Sequence, residues 1–398
     1  MVPPRLIRRF PQAPGLCFSS RWRFVRVNQF PSVVKILNNR AREFLDATAW
    51  SNAACEPLTG DASARKYFRL QKDEQSAVLM DASSILESVA PFIQISQHLR
   101  QLGFSVPAIL ARNDKKGLLL LEDFGDATFT RLLDGQPDAI SQRQREQTSA
   151  RAGSPLPAAH QPDNCGAHGV TRPANASNLF NEWFEPEKLY TLATDVLIAL
   201  HRHPQAIPKG LRTYHPEKML EDIGLFLEWR TPTISEAGKA EFKTVWREVL
   251  PLAHQVPTSL LLRDYHVANL MLLPNRPGVR QAGLLDFQDA YQGPITYDLM
   301  SLLEDARRDV PDELGEKMVA RYLARFPALD QKAFETSLAI LAALRHTRIL
   351  AIFEKLSRHE GKHDYKKLHS PRVERLLQRA LHHPMLAGVK RWMDRHAR

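Results

Sequence analysis

Three oxygen-bearing side chains lie near one another in the second half of the sequence. Asp264 is followed by Asn269, and Asp286 ends a later apolar run. Transfer of a phosphoryl group from a nucleoside triphosphate needs a carboxylate beside the acceptor hydroxyl and oxygen ligands for the bridging Mg²⁺. The spacing therefore predicts a phosphoryl-transfer site, with Asp264 as the catalytic residue and Asn269 and Asp286 as the metal ligands.

The chain between these residues predicts a β-hairpin that would bring the two metal ligands together. Residues 270–273 are apolar and favour a strand, residues 275–278 favour a turn, and residues 282–287 form the expected returning strand. The hairpin would carry Asp286 back beside Asn269. A single aspartate is more often a turn or capping residue, so the interpretation rests on the three residues together.

A glycine-containing segment, GDASARKYFR at residues 60–69, lies upstream between two apolar runs. Its small residues predict a tight turn whose backbone amides approach phosphates, with Gly60, Asp61 and Ser63 in the turn and Arg65 beside it. An ordinary hairpin turn has a similar composition. Only the downstream site makes a nucleotide-covering loop the favoured interpretation.

Both segments resemble parts of the kinase-like phosphotransferases, on the aminoglycoside and choline kinase side of that superfamily. RDYHVAN at 263–269 is similar to their catalytic loop, and LLDFQD at 284–289 is similar to their metal-binding strand. Protein kinases fit less well, because Leu262 replaces the histidine of their His-Arg-Asp motif and Gln288 replaces the glycine of Asp-Phe-Gly.

Four blocks together resemble one bacterial subgroup, the anomeric sugar kinases that phosphorylate N-acetylmuramate and N-acetylglucosamine at the 1-hydroxyl during cell-wall recycling. The blocks are GDASARKYFRL, AVLMD, LLLLEDFGD and LLDFQDAYQGPITYDL. The resemblance implies an α+β, bilobal protein-kinase-like fold, with a small β-rich nucleotide-binding lobe over residues 38–125 and a larger, mostly helical catalytic lobe over 126–398. It also implies ATP and Mg²⁺ as cofactors and an amino sugar as the small-molecule partner.

The resemblance places the adenine of ATP at the junction of the lobes, against backbone groups around Glu122 to Phe124. Gln288 and Asp289 follow the metal strand and are candidates to hydrogen-bond sugar hydroxyls. For Asp289 the alternative is a supporting role behind the metal ligand.

One residue expected in a kinase small lobe is missing. The strand after the glycine loop normally carries a lysine for the α- and β-phosphates, but Met80 occupies that position in AVLMD. The sugar-kinase subgroup resembles this chain in having Met-Asp there. Arg65 and Lys66 are the nearest candidates for the missing cation, and the alternative is that both are solvated charges at a strand edge.

Length and composition set outer bounds on the protein. The 398 residues, 43% of them hydrophobic, suffice for two lobes, and apolar residues recur at helical spacing over 189–200 and 334–353. No uninterrupted apolar run reaches the roughly 18 residues of a membrane helix, and three scattered cysteines fit a reducing compartment. We therefore predict a soluble, cytoplasmic protein with no membrane partner.

The net charge of +10 comes from the two ends of the chain. Residues 1–42 contain nine Lys and Arg and no acid, and residues 354–398 contain twelve basic and five acidic residues. A nucleic-acid enzyme concentrates positive charge around its cleft, so no nucleic-acid partner is expected and the C-terminal surplus is predicted to be a solvated helical face. The sequence leaves the oligomeric state open.

Two segments lack the apolar pattern of a folded core. Residues 1–37 are basic and acid-free, which overlaps with organelle transit peptides, although a disordered extension is favoured. Residues 134–178 contain few large apolar side chains and cannot offset their own ordering entropy. They are predicted to form a disordered insertion.

Three functional hypotheses follow from these observations. An ATP-dependent small-molecule kinase accounts for the acidic constellation, a basic binding protein accounts only for the charge, and a catalytically inactive scaffold accounts only for the missing lysine. The kinase is favoured. The resemblance implies an amino sugar as acceptor, while aminoglycosides, choline and homoserine stay open because no motif fixes the acceptor pocket.

Overall fold

The computed structural model describes residues 37–58, 64–135, 185–361 and 363–397. The basic leader except its last residue, the loop residues Gly60, Asp61 and Ser63, and almost all of the predicted insertion lie outside the described residues. Their predicted disorder and their predicted phosphate contacts therefore stay predictions.

Alternating apolar residues in the first part of the chain form one antiparallel sheet of five strands. The strand order is β1-β2-β3-β5-β4, and in its centre Met80 pairs with Tyr67 on one side and Leu119 on the other. The elements are α1 (Asn39–Asp46), β1 (Ala54–Leu58), β2 (Lys66–Lys72), β3 (Gln75–Asp81), α2 (Val89–Gln101), β4 (Ile109–Asn113) and β5 (Leu118–Glu122).

The two faces of this sheet have different partners because side chains alternate along a strand. Phe68 and Leu70 of β2 are buried in a core shared with α1. Tyr67 and Arg69 point to the other face, where they line a cleft. The alternation of side chains therefore makes one face of the sheet a wall of this cleft.

The rest of the described chain is mostly helical, with two short two-stranded ribbons, β6 with β9 and β7 with β8. Its elements are α3 (Phe129–Leu133), α4 (Pro186–His201), α5 (Pro216–Trp229), α6 (Glu236–Val249), β6 (Thr258–Leu261), β7 (Leu270–Leu272), β8 (Ala282–Leu284), β9 (Tyr291–Pro294), α7 (Thr296–Leu303), α8 (Asp312–Leu323), α9 (Gln331–His359), α10 (His363–Ala380) and α11 (Ala387–His396). The predicted helices at 189–200 and 334–353 lie within α4 and α9.

Helix α9 is the longest described helix and the main buried element of this lobe. The Asp330 side chain caps its start by accepting a hydrogen bond from the backbone N–H of Ala333. By length and composition alone α9 could cross a membrane, but 72% of its most apolar window is buried inside the protein. The apolar character of α9 is therefore used in packing against its neighbours.

The basic surplus near the C-terminus is partly neutralised by acids of neighbouring elements. Lys366 pairs with Glu354 at 2.8 Å, and Arg372 pairs with Asp309 at 2.8 Å. The C-terminal basic residues are therefore not all solvated, because long basic side chains of α10 form ion pairs with α9 and with the loop before α8.

Candidate active site

Strands β7 and β8 form the predicted hairpin, with Leu270 opposite Leu284. The prediction that the returning strand extends to residue 287 was wrong, because the strand ends at Leu284 and Asp286 has a φ of +56°. This left-handed conformation is uncommon outside glycine, and aspartate tolerates it better than most residues. The backbone N–H of Leu285 donates to the carbonyl of Asn269 at 3.0 Å, so the hairpin brings the chain next to Asp286 back beside Asn269, and both residues line the same cleft.

The loop carrying Asp264 is held by a buried carboxylate that the sequence analysis missed. Asp298, in the first turn of α7, accepts hydrogen bonds from the backbone N–H of Leu262 at 2.6 Å and of Arg263 at 2.9 Å. Burial raises the pKa of Asp298 to about 7, and the two backbone donors oppose that rise. Its position as a lone acid among apolar residues was the signal in the sequence.

The same loop is anchored by the side chain of Arg263, whose φ is +74°. Its Nη2 lies 2.6 Å from Oδ2 of the buried Asp222, and its guanidinium lies over the rings of Tyr214 and Tyr291. Strained backbone persists only where its surroundings fix it. These contacts supply that constraint next to Asp264.

Asp264 itself faces the cleft, with a third of its side chain exposed. Nη1 of Arg345 lies 3.6 Å from its Oδ1 and also donates to the carbonyl of Arg263 at 3.0 Å. Burial alone would raise the pKa of Asp264, but Arg345 and Arg348 outweigh it and hold that pKa below its usual range. Asp264 is therefore an ionised carboxylate at neutral pH, suited to accept a hydrogen bond from a hydroxyl.

Asn269 and Asp286 present the oxygen atoms that a magnesium ion would need. Nδ2 of Asn269 donates to the carbonyl of Asp264 at 2.9 Å, which leaves Oδ1 as the ligand atom of the amide. Burial and the charge of Asp264 raise the pKa of Asp286, so a divalent cation here would relieve repulsion between two carboxylates. Mg²⁺ takes few protein ligands and keeps several waters, so one amide oxygen and one carboxylate could hold it together with phosphate oxygens.

Gln288 and Asp289, the candidate sugar-binding residues, have different surroundings. Gln288 is buried, and its Nε2 donates to Asp286 Oδ1 at 2.8 Å and to Asp289 Oδ2 at 3.2 Å. The amide nitrogen of Gln288 is thus already used to orient the two carboxylates. Asp289 is exposed and lines the cleft, and its contact with a sugar stays a prediction.

Of the two candidates for the missing cation, the structure brings only Arg65 to the site. Arg65 is buried, and its Nη1 lies 3.4 Å from Asp286 Oδ1. Lys66 is exposed and points to the opposite face of β2. Met80 is fully buried in the apolar core, where a lysine ammonium would have no solvation.

The junction between the lobes also lines the cleft, through Glu122 and Phe124. The Glu122 carboxylate pairs with Arg276, whose guanidinium lies 5.0 Å from the centroid of the Phe124 ring. The Glu122 N–H donates to the carbonyl of Ala108 at 2.8 Å. Because that N–H is occupied, adenine binding at this junction stays a prediction that depends on the backbone groups beyond Glu122.

These residues surround one cleft of about 870 Å³ between the sheet and the helical lobe, a volume typical of small-molecule sites. One side carries Arg65, Asn269 and Asp286. Another part of the lining, which we term the α9 end, comes from α9 and from the loop between α7 and α8. Its residues are Ala306, Arg307, Arg345, Arg348, Ile349, Ile352 and Phe353.

Comparison with known proteins adds to this geometry. The model of the phosphotransferase enzyme family matches residues 54–334. An N-acetylmuramate/N-acetylglucosamine kinase from Caulobacter vibrioides is 30% identical over 393 aligned residues, covering 89% of this chain and 94% of the relative. A protein of the same name from Pseudomonas aeruginosa is 29% identical, covering 81% of this chain and 83% of the relative.

Solved structures resemble the fold at low sequence identity. A choline kinase from Streptococcus pneumoniae has a TM-score of 0.54 at 12% identity, covering 85% of this chain and 97% of its own. A choline/ethanolamine kinase family protein from Mesorhizobium loti has a TM-score of 0.53 at 15% identity, covering 89% and 97%. These likenesses confirm the predicted kinase-like α+β fold, which the structure forms as a five-stranded antiparallel sheet followed by a mostly helical region.

Proposed function

Because this chain belongs to the phosphotransferase enzyme family, and is thus an ATP-dependent kinase of small molecules, we propose that its acceptor is the anomeric hydroxyl of N-acetylmuramate or N-acetylglucosamine. The observation that carries the proposal is that Asp264, Asn269 and Asp286 face one cleft. The choice of acceptor is supported by the names of the relatives that match most of this chain at about 30% identity.

In this proposal Asp264 orients the acceptor hydroxyl and receives its proton. The lowered pKa makes Asp264 a weak base, so it accepts a hydrogen bond from the hydroxyl throughout and takes the proton late, as the new O–P bond forms. Positioning of this kind supplies much of the catalysis in phosphoryl transfer. Arg345 and Asp298 keep the carboxylate and its loop in place.

Asn269 and Asp286 are the residues that would hold Mg²⁺, which when bound neutralises charge on the phosphates. Gln288 fixes the Asp286 carboxylate through its 2.8 Å hydrogen bond. The left-handed backbone at Asp286 ends the strand direction at this residue, where the carboxylate contacts Gln288 and Arg65. Asn269, Asp286 and Gln288 all lie in or next to the short hairpin.

Arg65 is the proposed replacement for the lysine of other kinase small lobes. Its guanidinium beside Asp286 is placed to bind phosphate oxygens with two parallel N–H donors. Replacing Arg65 with glutamine should raise the KM for ATP by about tenfold or more, the loss expected for a charged hydrogen bond, with a smaller change in kcat.

Steady-state kinetics with varied ATP would measure this effect. Lys66→Gln is the matched control, because it removes the adjacent positive charge from the outer face of the same strand. A tenfold rise in KM for ATP in Lys66→Gln, with Arg65→Gln unchanged, would contradict the assignment.

The charges at the α9 end argue against cationic acceptors. Arg307, Arg345 and Arg348 line this end, where the Asp264 carboxylate lies 3.6 Å from Arg345, so the three positive charges outnumber the one negative charge. Aminoglycosides and choline carry positive charge, so this wall would repel them. A neutral or acidic acceptor is compatible with it.

A panel of acceptors tests the proposal. The purified protein, given labelled ATP and Mg²⁺, should transfer label to N-acetylmuramate or N-acetylglucosamine and not to choline, homoserine or an aminoglycoside. Transfer to one of the latter three, with neither amino sugar used, would overturn the choice of acceptor and leave the family assignment intact.

A further inference from the structure

The α9 end of the cleft contains a guanidinium, that of Arg348, whose charge lowers the pKa of Asp264 but to which the proposed mechanism assigns no contact with a substrate. Arg348 follows Arg345 by three residues on α9, so the two lie on the same face of the helix, and both line the cleft. Arg345 is occupied by Asp264 and by the carbonyl of Arg263. Within the described chain, Arg348 donates no hydrogen bond and forms no ion pair.

Arg348 is placed for the acceptor rather than for the nucleotide. The nucleotide side has its own cation, Arg65, which pairs with Asp286. Three residues along a helix correspond to a rise of about 4.5 Å, so Arg348 is displaced from Arg345 by a distance comparable to the width of a sugar ring. Asp264 would therefore meet the reacting hydroxyl while Arg348 meets a substituent elsewhere on the same ring.

The neighbours of Arg348 fit this role. Ile349, Ile352 and Phe353 form an apolar wall beside it, which suits methyl groups and a sugar face better than a triphosphate. A guanidinium at the edge of an apolar wall favours a carboxylate, which it binds with two parallel hydrogen bonds. The α9 end thus matches an acceptor that carries one carboxylate next to small apolar groups.

We propose that Arg348 binds a carboxylate of the acceptor and makes the enzyme prefer an acidic amino sugar to its neutral counterpart. This inference rests on the proposed function. N-acetylmuramate and N-acetylglucosamine differ by one lactyl ether, which adds a carboxylate and a methyl group to the same ring. Comparison of the two sugars therefore measures how much the lactyl group contributes to recognition.

The first test compares the two sugars in the full-length protein. Arg348→Gln should lower kcat/KM for N-acetylmuramate by about tenfold to a hundredfold, the range expected when a charged hydrogen bond is lost. Because Arg348 also helps to hold the pKa of Asp264 low, some loss of kcat/KM common to both sugars is expected. The ratio of kcat/KM for N-acetylmuramate to that for N-acetylglucosamine should still fall by about tenfold or more, and the KM for ATP should change little. An equal fall for both sugars, or no fall for either, would overturn the proposal.

Arg358→Gln is the matched control for Arg348→Gln. Arg358 lies on the same helix, pairs with Glu354 at 2.6 Å and is absent from the cleft lining. The control makes the same change of charge on α9 and should preserve the preference for N-acetylmuramate. Loss of the preference in Arg358→Gln would point to long-range charge instead of contact, and would also overturn the proposal.

The second test uses the unmodified protein, so it does not depend on folding of a variant. An N-acetylmuramate derivative with the lactyl carboxylate converted to a neutral amide should be used about as well as N-acetylglucosamine. If the amide is used as well as the acid, the carboxylate is not recognised. If no amino sugar accepts phosphate at all, the proposed function fails, a result distinct from equal use of both sugars.

Discussion

Replacing Asp264 with asparagine is expected to lower kcat by about a hundredfold or more while leaving Mg·ATP binding nearly unchanged. Asparagine keeps the size of the side chain but loses the negative charge that orients the hydroxyl and accepts its proton, and such groups contribute about 10² to 10⁴ in rate. Steady-state kinetics at saturating acceptor, together with calorimetry of Mg·ATP binding, would separate the two effects.

The Asp264→Asn variant needs a control for folding, because Asp264 also interacts with the buried Arg345. Thermal unfolding should show a cooperative transition like that of the parent. Asp46→Asn is a matched substitution at the exposed end of α1, far along the chain from the site, and should preserve kcat. Full turnover in folded Asp264→Asn would remove this residue from the mechanism.

Replacing Asp286 with alanine is expected to abolish Mg²⁺-dependent binding of ATP and to reduce turnover below detection. The substitution removes the only carboxylate of the proposed metal pair and leaves Asn269 as the remaining protein ligand, which is too little to hold Mg²⁺ at the phosphates. Calorimetry with ATP in the presence and absence of Mg²⁺ measures the effect.

The parent protein provides the comparison for Asp286→Ala. Its ATP affinity in the presence of a chelator should match that of the variant in excess Mg²⁺, because both states lack the metal. Asp286→Asn should fall between the two, since one ligand oxygen remains. Equal Mg·ATP affinities of Asp286→Ala and the parent would assign the metal to other residues.

The local chemistry of the site could be predicted from the sequence because it lies in one continuous segment. Asp264, Asn269 and Asp286 are joined by a hairpin whose strands and turn carry their own signals, and the structure confirms that hairpin. The end of its second strand was predicted wrongly. The left-handed backbone at Asp286 is set by the packing around the site, and the apolar pattern that continues to Phe287 does not reveal it.

Contacts between distant segments could not be predicted in the same way. Asp298 contacts the catalytic loop from α7, and Arg345 contacts it from α9, where Arg348 lines the same cleft. Nothing in the local sequence distinguishes these arginines from solvated charges on a helix. Their role depends on the packing of α9 near the catalytic loop, which is a tertiary contact that local sequence does not encode.

The replacement for the missing small-lobe lysine also could not be chosen from the sequence alone. The sequence offered Arg65 and Lys66 as the nearest candidates, since they are adjacent and both are basic. The alternation of side chains along β2 separates them, with Arg65 directed at Asp286 and Lys66 exposed on the other face. Which of the two residues faces the cleft could be decided only once the position of each residue along the strand was known.

Identification of the phosphorylated atom tests the central claim most directly. The product formed from ATP and N-acetylmuramate or N-acetylglucosamine should show, by two-dimensional ¹H–³¹P NMR, a phosphorus coupled to the anomeric proton of the sugar, and the methyl glycoside blocked at that position should give no product. A phosphorus coupled to any other sugar proton, or equal phosphorylation of the methyl glycoside, would contradict the account.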